Sequence, residues 1–209
     1  MLFRFLDYYY RTRPILLGRI FKLLFANKRL VIGKNFQCDS IPKILINGKA
    51  VLEIGDNVIF RRNVELRAHH DSKIEIGNNC RIDRGVRLLS TNEAKLVLKD
   101  GVRVGLYSVF NGGDSILVGD KTLISGFVYL QTSMHNYHKA DNIQEQGYAH
   151  APIALGKDNW VGTQAIIFPG VTLKDGCIVG SNSVVNKSFG ANSIIAGTPA
   201  KLLKERNLS

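Results

Sequence analysis

From Leu30 onward, apolar residues recur every six positions. Ile54, Phe60 and Leu66 form one group of three, followed by Ile76, Ile82 and Leu88, then Leu98, Val104 and Phe110, with successive groups starting 22 residues apart. The same count finds Ile32, Cys38 and Ile44 upstream, and Val118, Ile124 and Leu130 downstream after a shorter gap. It resumes at Leu155 and runs unbroken through Val161, Ile167, Leu173, Val179 and Val185. All 21 anchors are apolar, as are 17 of the 21 residues two places before them; the exceptions are Ser108, Thr122, Asn159 and Ser183. Two inward residues in alternation, then a turn, predict a strand of about four residues ending in a sharp corner. An amphipathic helix would need a 3.6-residue spacing, and a sandwich would need longer strands. Glycine follows the anchor at 33, 55, 77, 105, 119, 156, 162 and 180, where it is expected to supply a positive φ at the corner. Three six-residue sides close a coil of 18, and the four extra residues of each 22-residue repeat bulge at one corner. The pattern therefore predicts an all-β fold, a parallel β-helix of seven to eight triangular coils stacked at about 4.8 Å, roughly 35 Å long.

Residues 1–29 stand outside this pattern and residues 30–209 form the coil domain, with a loop at 131–152 and a C-terminal tail. In LLGRIFKLLFANKRL, apolar residues at 16, 17, 20, 21, 24 and 25 predict a short amphipathic helix. Such a segment can cap the open end of a solenoid or sit near a membrane surface, and the two roles are compatible. Charge sharpens this reading. The net charge is +11, of which residues 1–34 contribute +7, with Asp7 their single acid. That density favours anionic lipid or a phosphorylated partner. No nucleic-acid partner is expected, because the basic residues form no recognisable reading element. The chain has no uninterrupted apolar run of membrane-spanning length, and MLFRFLDYYYRTRP lacks the pattern of a cleaved leader. Cys38, Cys80 and Cys177 are too few and too scattered for a disulfide scaffold or a cysteine-built zinc site. The expected location is the cytoplasm, with peripheral contact at the inner face of the cell membrane left open.

The repeat breaks once. After Leu130 it resumes only at Leu155, leaving QTSMHNYHKADNIQEQGYAHAPIA as a protruding loop that holds His135, His138 and His150. Long excursions from a rigid solenoid are often functional. His69 and His70 fall about three coils earlier, some 14 Å away and too far to share a metal with His135 in one molecule. A metal-dependent hydratase therefore stays open only through an assembly, and a non-catalytic scaffold is a third reading. Imidazole at a loop edge suits base chemistry, because it can take a hydroxyl proton near neutrality. No serine or cysteine has a persuasive setting as a nucleophile. Direct attack by an acceptor hydroxyl on a thioester needs a base, alignment and backbone N–H groups for the oxyanion.

Residues 152–203, PIALGKDNWVGTQAIIFPGVTLKDGCIVGSNSVVNKSFGANSIIAGTPAKLL, together with TSMHNYH and the looser repeats back to about residue 50, carry a family resemblance. The chain resembles the hexapeptide-repeat acyltransferases with a left-handed parallel β-helix, especially maltose and galactoside O-acetyltransferases and enzymes of surface-polysaccharide synthesis. The resemblance implies left-handed coils, a homotrimer with sites between neighbouring prisms, acetyl-coenzyme A (acetyl-CoA) as donor, and no tightly bound metal. It implies His135 as general base, with His138 orienting the loop or touching the acceptor. Trp160, Gly162, Gly180 and Ser181 are expected along the pantetheine arm, Thr198 and Pro199 at the adenine end, and Lys187, Lys201 and Lys204 near the phosphates. Asn111, Asp114 and Tyr148 are candidate acceptor contacts, and Glu145 a candidate partner for His135. The reaction implied is O-acetylation of a sugar or glycan precursor. The basic, aromatic start departs from the acid-bearing start of the sugar enzymes and points toward a lipid-linked acceptor or a surface glycan.

Overall fold

The computed structural model describes residues 2–207. Residues 30–205 wind into a solenoid whose strands form three parallel sheets, one per side of a triangular prism. Leu30–Ile32, Val51–Ile54, Lys73–Ile76, Lys95–Leu98, Ile116–Val118, Ile153–Leu155 and Thr172–Leu173 stack as face one. Face two runs from Gln37–Cys38 to Ser193–Gly197, and face three from Lys43–Ile46 to Val184–Val185. The stacked sides make a left-handed parallel β-helix of about seven coils.

The register follows the sequence count. Leu52 pairs with Ile74, and Ile74 with Leu96, each step being one 22-residue repeat. Val118 pairs with Leu155 across 37 residues, which is a coil of 18 plus an insertion of 19. Every anchor is buried except Ile44, which is half-buried at the first coil. All the positions two before the anchors are buried too, polar exceptions included. These polar side chains bind backbone. Ser108 Oγ donates to Ser125 O at 2.9 Å and accepts from Val128 N at 3.1 Å. Thr122 Oγ1 and Asn159 Nδ2 both donate to Gly156 O, at 3.0 and 3.2 Å. Satisfied this way, small polar groups occupy the bore without the penalty of unpaired burial.

The corners differ from expectation. The glycines directly after the anchors do not take positive φ; that conformation falls two residues later, at Asn35, Asn57, Asn79, Tyr107, Lys121, Asp158, Gln164 and Asn182. What these glycines provide is closeness. A Cβ at Gly77 would stand 2.5 Å from Asp100 Oδ1 and 2.9 Å from Asp100 N in the next coil. The same aspartate accepts the Asn78 N–H at 2.7 Å, so the corner is clamped from both sides. Asparagine tolerates the left-handed region best among residues with a side chain. It also builds an amide ladder, Asn35 to Asn57 at 3.0 Å and Asn57 to Asn79 at 3.2 Å.

At the N-terminal end the expected short helix is instead a 24-residue helix, α1 (Leu2–Phe25), with Pro14 inside it. Helix growth is cooperative, so once residues 14–21 dock on the coil the turns before them follow. Phe21 is buried against Phe36, centroids 5.9 Å apart, and Phe36 stands edge-on to Phe60 at 5.1 Å. This aromatic column plugs the bore. Gly18 lies so close to the Phe36 carbonyl that a side chain there would collide with backbone. At the other end Ser193–Gly197 turns back antiparallel as Ala200–Glu205, and Arg206 reaches Asp158 at 3.0 Å.

Gly77→Ala is expected to cost on the order of 2 kcal/mol in chemical denaturation, whereas exposed Arg103→Ala should change stability by less than about 0.5 kcal/mol. Burial raises the thiols of Cys38 and Cys80 to about 11 and also raises that of Cys177. A thiol reagent at neutral pH should accordingly label none of them in the folded protein and all of them after unfolding. An unfolded chain ionises these thiols first as pH rises beyond about 9, so stability should fall through that range.

Candidate functional site

Among the described residues, the one long excursion from the coil is an ordered hairpin. Ser133–His135 pairs antiparallel with Tyr148–His150, setting His135 opposite Tyr148 and Ser133 opposite His150. The His135 and Tyr148 rings lie 4.3 Å apart, and Tyr148 stacks toward His150 at 6.1 Å. Three rings thus line one side of the hairpin. Its tip is tied by Gln146, whose side chain binds Lys139 N and O at 3.0 and 3.1 Å and Asp141 O at 2.7 Å. Asn136 N donates to Gly147 O at 3.0 Å, closing the turn. An exposed imidazole on a backbone held this way can present a ring nitrogen to solvent or to a ligand in one direction.

Asn111 and Asp114 lie at the hairpin's root. Thr132 Oγ1 donates to Asn111 O at 2.9 Å and accepts from Asp114 N at 3.0 Å, while Asn111 Nδ2 reaches the Tyr129 hydroxyl at 3.4 Å. Asp114 and His150 border an open groove of about 1040 Å³ that runs along the corner bulges past Asn92 and His70. The four extra residues of each 22-residue repeat build this groove wall. Glu145 does not partner His135: it sits in the short Ile143–Glu145 turn at the tip, and among the described residues no hydrogen bond or ion pair joins the two. His138 also lies toward the tip, its ring 4.4 Å from Tyr137.

One pair escaped the sequence reading. Ser133 Oγ and His150 Nδ1 are 2.8 Å apart, and Gly113 backs them so tightly that a Cβ there would meet the His150 ring at 2.8 Å. Which residues face each other across a hairpin depends on its register, which spacing alone left undetermined.

The other candidates occupy a different edge of the prism. Gly162, Gly180 and Ser181 stack at the corner between faces two and three, where a Cβ at Gly162 would stand 2.7 Å from Ser181 N. Gly180 leaves room for Ala196 of the terminal hairpin, and Thr198 Oγ1 lies 3.4 Å from Asn182 O, so Thr198 and Pro199 extend the same edge. Lys201 and Lys204 are exposed on the returning strand opposite Ala196 and Ile194. Trp160 is half-exposed on face two between Leu123 and Ile178, its N–H reaching Ser125 Oγ at 3.2 Å. Within one chain it stands away from the histidine hairpin. Lys187 alone of this set follows face three on the hairpin's own edge, over the Phe189 ring at 5.6 Å. A face of about five extended residues, some 15 Å, separates the two edges. Beside the second edge lies an apolar patch that the periodicity did not reveal. Tyr107 and Phe127 stack at 5.6 Å, and Leu123 and Trp160 are exposed nearby. Among the described residues, no three His, Cys, Asp or Glu side chains converge as metal ligands.

No family model matches the chain. It is 31% identical over 198 residues to a probable acetyltransferase of Mycobacterium tuberculosis, covering 91% of this chain and 57% of that protein. It is 32% identical over 94 residues to the galactoside O-acetyltransferase of Escherichia coli, covering 44% of this chain and 45% of that one. The chain spans about half the length of the curated relatives it matches. Its coil superimposes with a TM-score of 0.62 on an N-acyltransferase of Bacillus cereus solved with dTDP-4-amino-4,6-dideoxyglucose and coenzyme A, at 22% identity over 85% of this chain and 84% of that one.

Gly113→Ala should displace the Ser133–His150 pair while leaving the coil intact. In ring-nitrogen NMR the His150 resonances are expected to move and those of His69 and His70 to stay; unmoved His150 resonances would contradict the contact.

Proposed function

We propose that this chain, a homologue of acetyltransferases built on the same six-residue-repeat coil, transfers an acetyl group from acetyl-CoA to a hydroxyl of a sugar or glycan precursor. The observation that carries the reading is the hairpin Ser133–His150 standing out of the coil, with exposed His135 stacked on Tyr148. His135 takes the acceptor's hydroxyl proton as that oxygen attacks the thioester carbon, and the proton passes to the departing thiolate as the C–S bond breaks. The galactoside relative supports a sugar hydroxyl as acceptor, and the coenzyme A in the Bacillus structure supports an acyl-CoA donor. We assign the activity to surface-polysaccharide synthesis on the cytoplasmic side, where three unpaired, buried cysteines persist as thiols. The acceptor we favour is carried on lipid.

The separation of the two edges supports a site shared between copies. A donor arm lying along Gly162, Gly180, Ser181 and Thr198 would run beside the exposed patch of Tyr107, Phe127 and Trp160. His135 reaches that arm from a neighbouring copy, and the homotrimer closes the arrangement. The glycines let an arm approach backbone N–H groups, and Lys201 and Lys204 bring positive charge toward its phosphates.

Coenzyme A release from acetyl-CoA with a panel of sugar acceptors tests the activity. A folded protein that neither binds acetyl-CoA nor releases coenzyme A would overturn it. His135→Ala is expected to lower turnover by about 10²–10⁴-fold with little change in donor affinity. For the shared site, His135→Ala and Ser181→Trp chains, each inactive alone, should regain about one quarter of wild-type turnover when co-expressed, because random assortment restores one site in four. No recovery would instead put both parts of the site on one chain.

A further inference from the structure

Helix α1 carries two apolar stripes, and the fold uses only one. Pro14, Leu17, Gly18 and Phe21 turn inward onto the first coil. Tyr9, Leu16, Ile20 and Leu23 fall at helical spacing on the opposite side, and all are exposed, Leu23 to 84%. The single apolar run read from the sequence thus divides at the docking line. Leu17 and Phe21 face the coil, whereas Leu16, Ile20, Leu23 and Leu24 face away.

We propose that this outward stripe is a docking surface for an anionic lipid bilayer, lying in the plane of the membrane interface. Charge selects the occupant. Arg13 and Arg19 flank the stripe on either side at 100° per residue, and Lys28 and Arg29 continue the positive end. Residues 8–34 hold no acid, so a second copy seated on this stripe would face like charge. Outward leucines between basic residues are what an interfacial helix needs: apolar side chains to enter the acyl boundary and cations for the headgroups. At about 36 Å the helix is long, yet no described helix is apolar enough to cross a membrane. The contact is therefore one of lying on the surface. Docking stands independently of the acyl-transfer reading; where both hold, the site addresses a glycan borne on the same membrane.

Flotation of the full chain with phosphatidylcholine vesicles, with and without phosphatidylglycerol, tests this directly. Wild type is expected to float with the anionic vesicles, at least about tenfold less with the neutral ones, and less as salt rises. Leu16→Glu/Leu23→Glu should lose about tenfold or more of the binding, with the thermal melt, the oligomer size and turnover on a soluble acceptor unchanged. Arg19→Glu should weaken binding while leaving the same controls intact. Failure of wild type to float, or equal flotation of the double variant, would overturn the proposal. A smaller oligomer for the double variant with undiminished flotation would assign the stripe to contact between copies and also overturn it.

Discussion

The narrow triangular bore constrains everything else in this molecule. Each six-residue side offers it two side chains, and stacking at one strand spacing leaves no room for water or for an unpaired polar group. Ser108, Thr122 and Asn159 are admitted because each ties itself to a backbone carbonyl at a corner. Chemistry needing a charged or titrating group is thereby expelled to the edges and to whatever projects from them. A solenoid built this way must also close both ends. Phe21, Phe36 and Phe60 fill one, and a reversed strand pair covers the other.

Edges then acquire distinct characters from small departures in repeat length. Four extra residues per coil build a groove wall on one edge, and an insertion of 19 raises the histidine hairpin at its end. The edge between faces two and three keeps short corners, close-approach glycines and exposed aromatic rings. Neither edge alone holds both the histidine hairpin and the close-approach glycines. This division, rather than the histidine alone, makes a site shared between copies the economical reading.

Much of this was legible because the repeat repeats. Registers, the buried anchors and the size of the insertion follow from counting, since one misplaced residue would turn a whole strand inside out. The glycine corners were located but misread: the sequence shows where the chain must be small, while the positive φ falls on Asn57 and Asn79 two places on. Hairpin register is not legible by counting, so neither the His135–Tyr148 stack nor the Ser133–His150 pair can be read from the spacing. Helix α1 was underestimated in length because its first turns gain order from the docked turns after them. Its two-sided character needed the docking line itself, which no periodicity could supply.

The proposed site brings the His135 hairpin of one copy against the glycine edge of a neighbouring copy. A crystal structure of the protein with coenzyme A tests it most directly. A shared site places the sulfur beside His135 of one copy and the adenine end near Thr198 and Pro199 of another. Coenzyme A bound away from His135, or His135 and the Thr198 turn contributed to one site by a single chain, would contradict it.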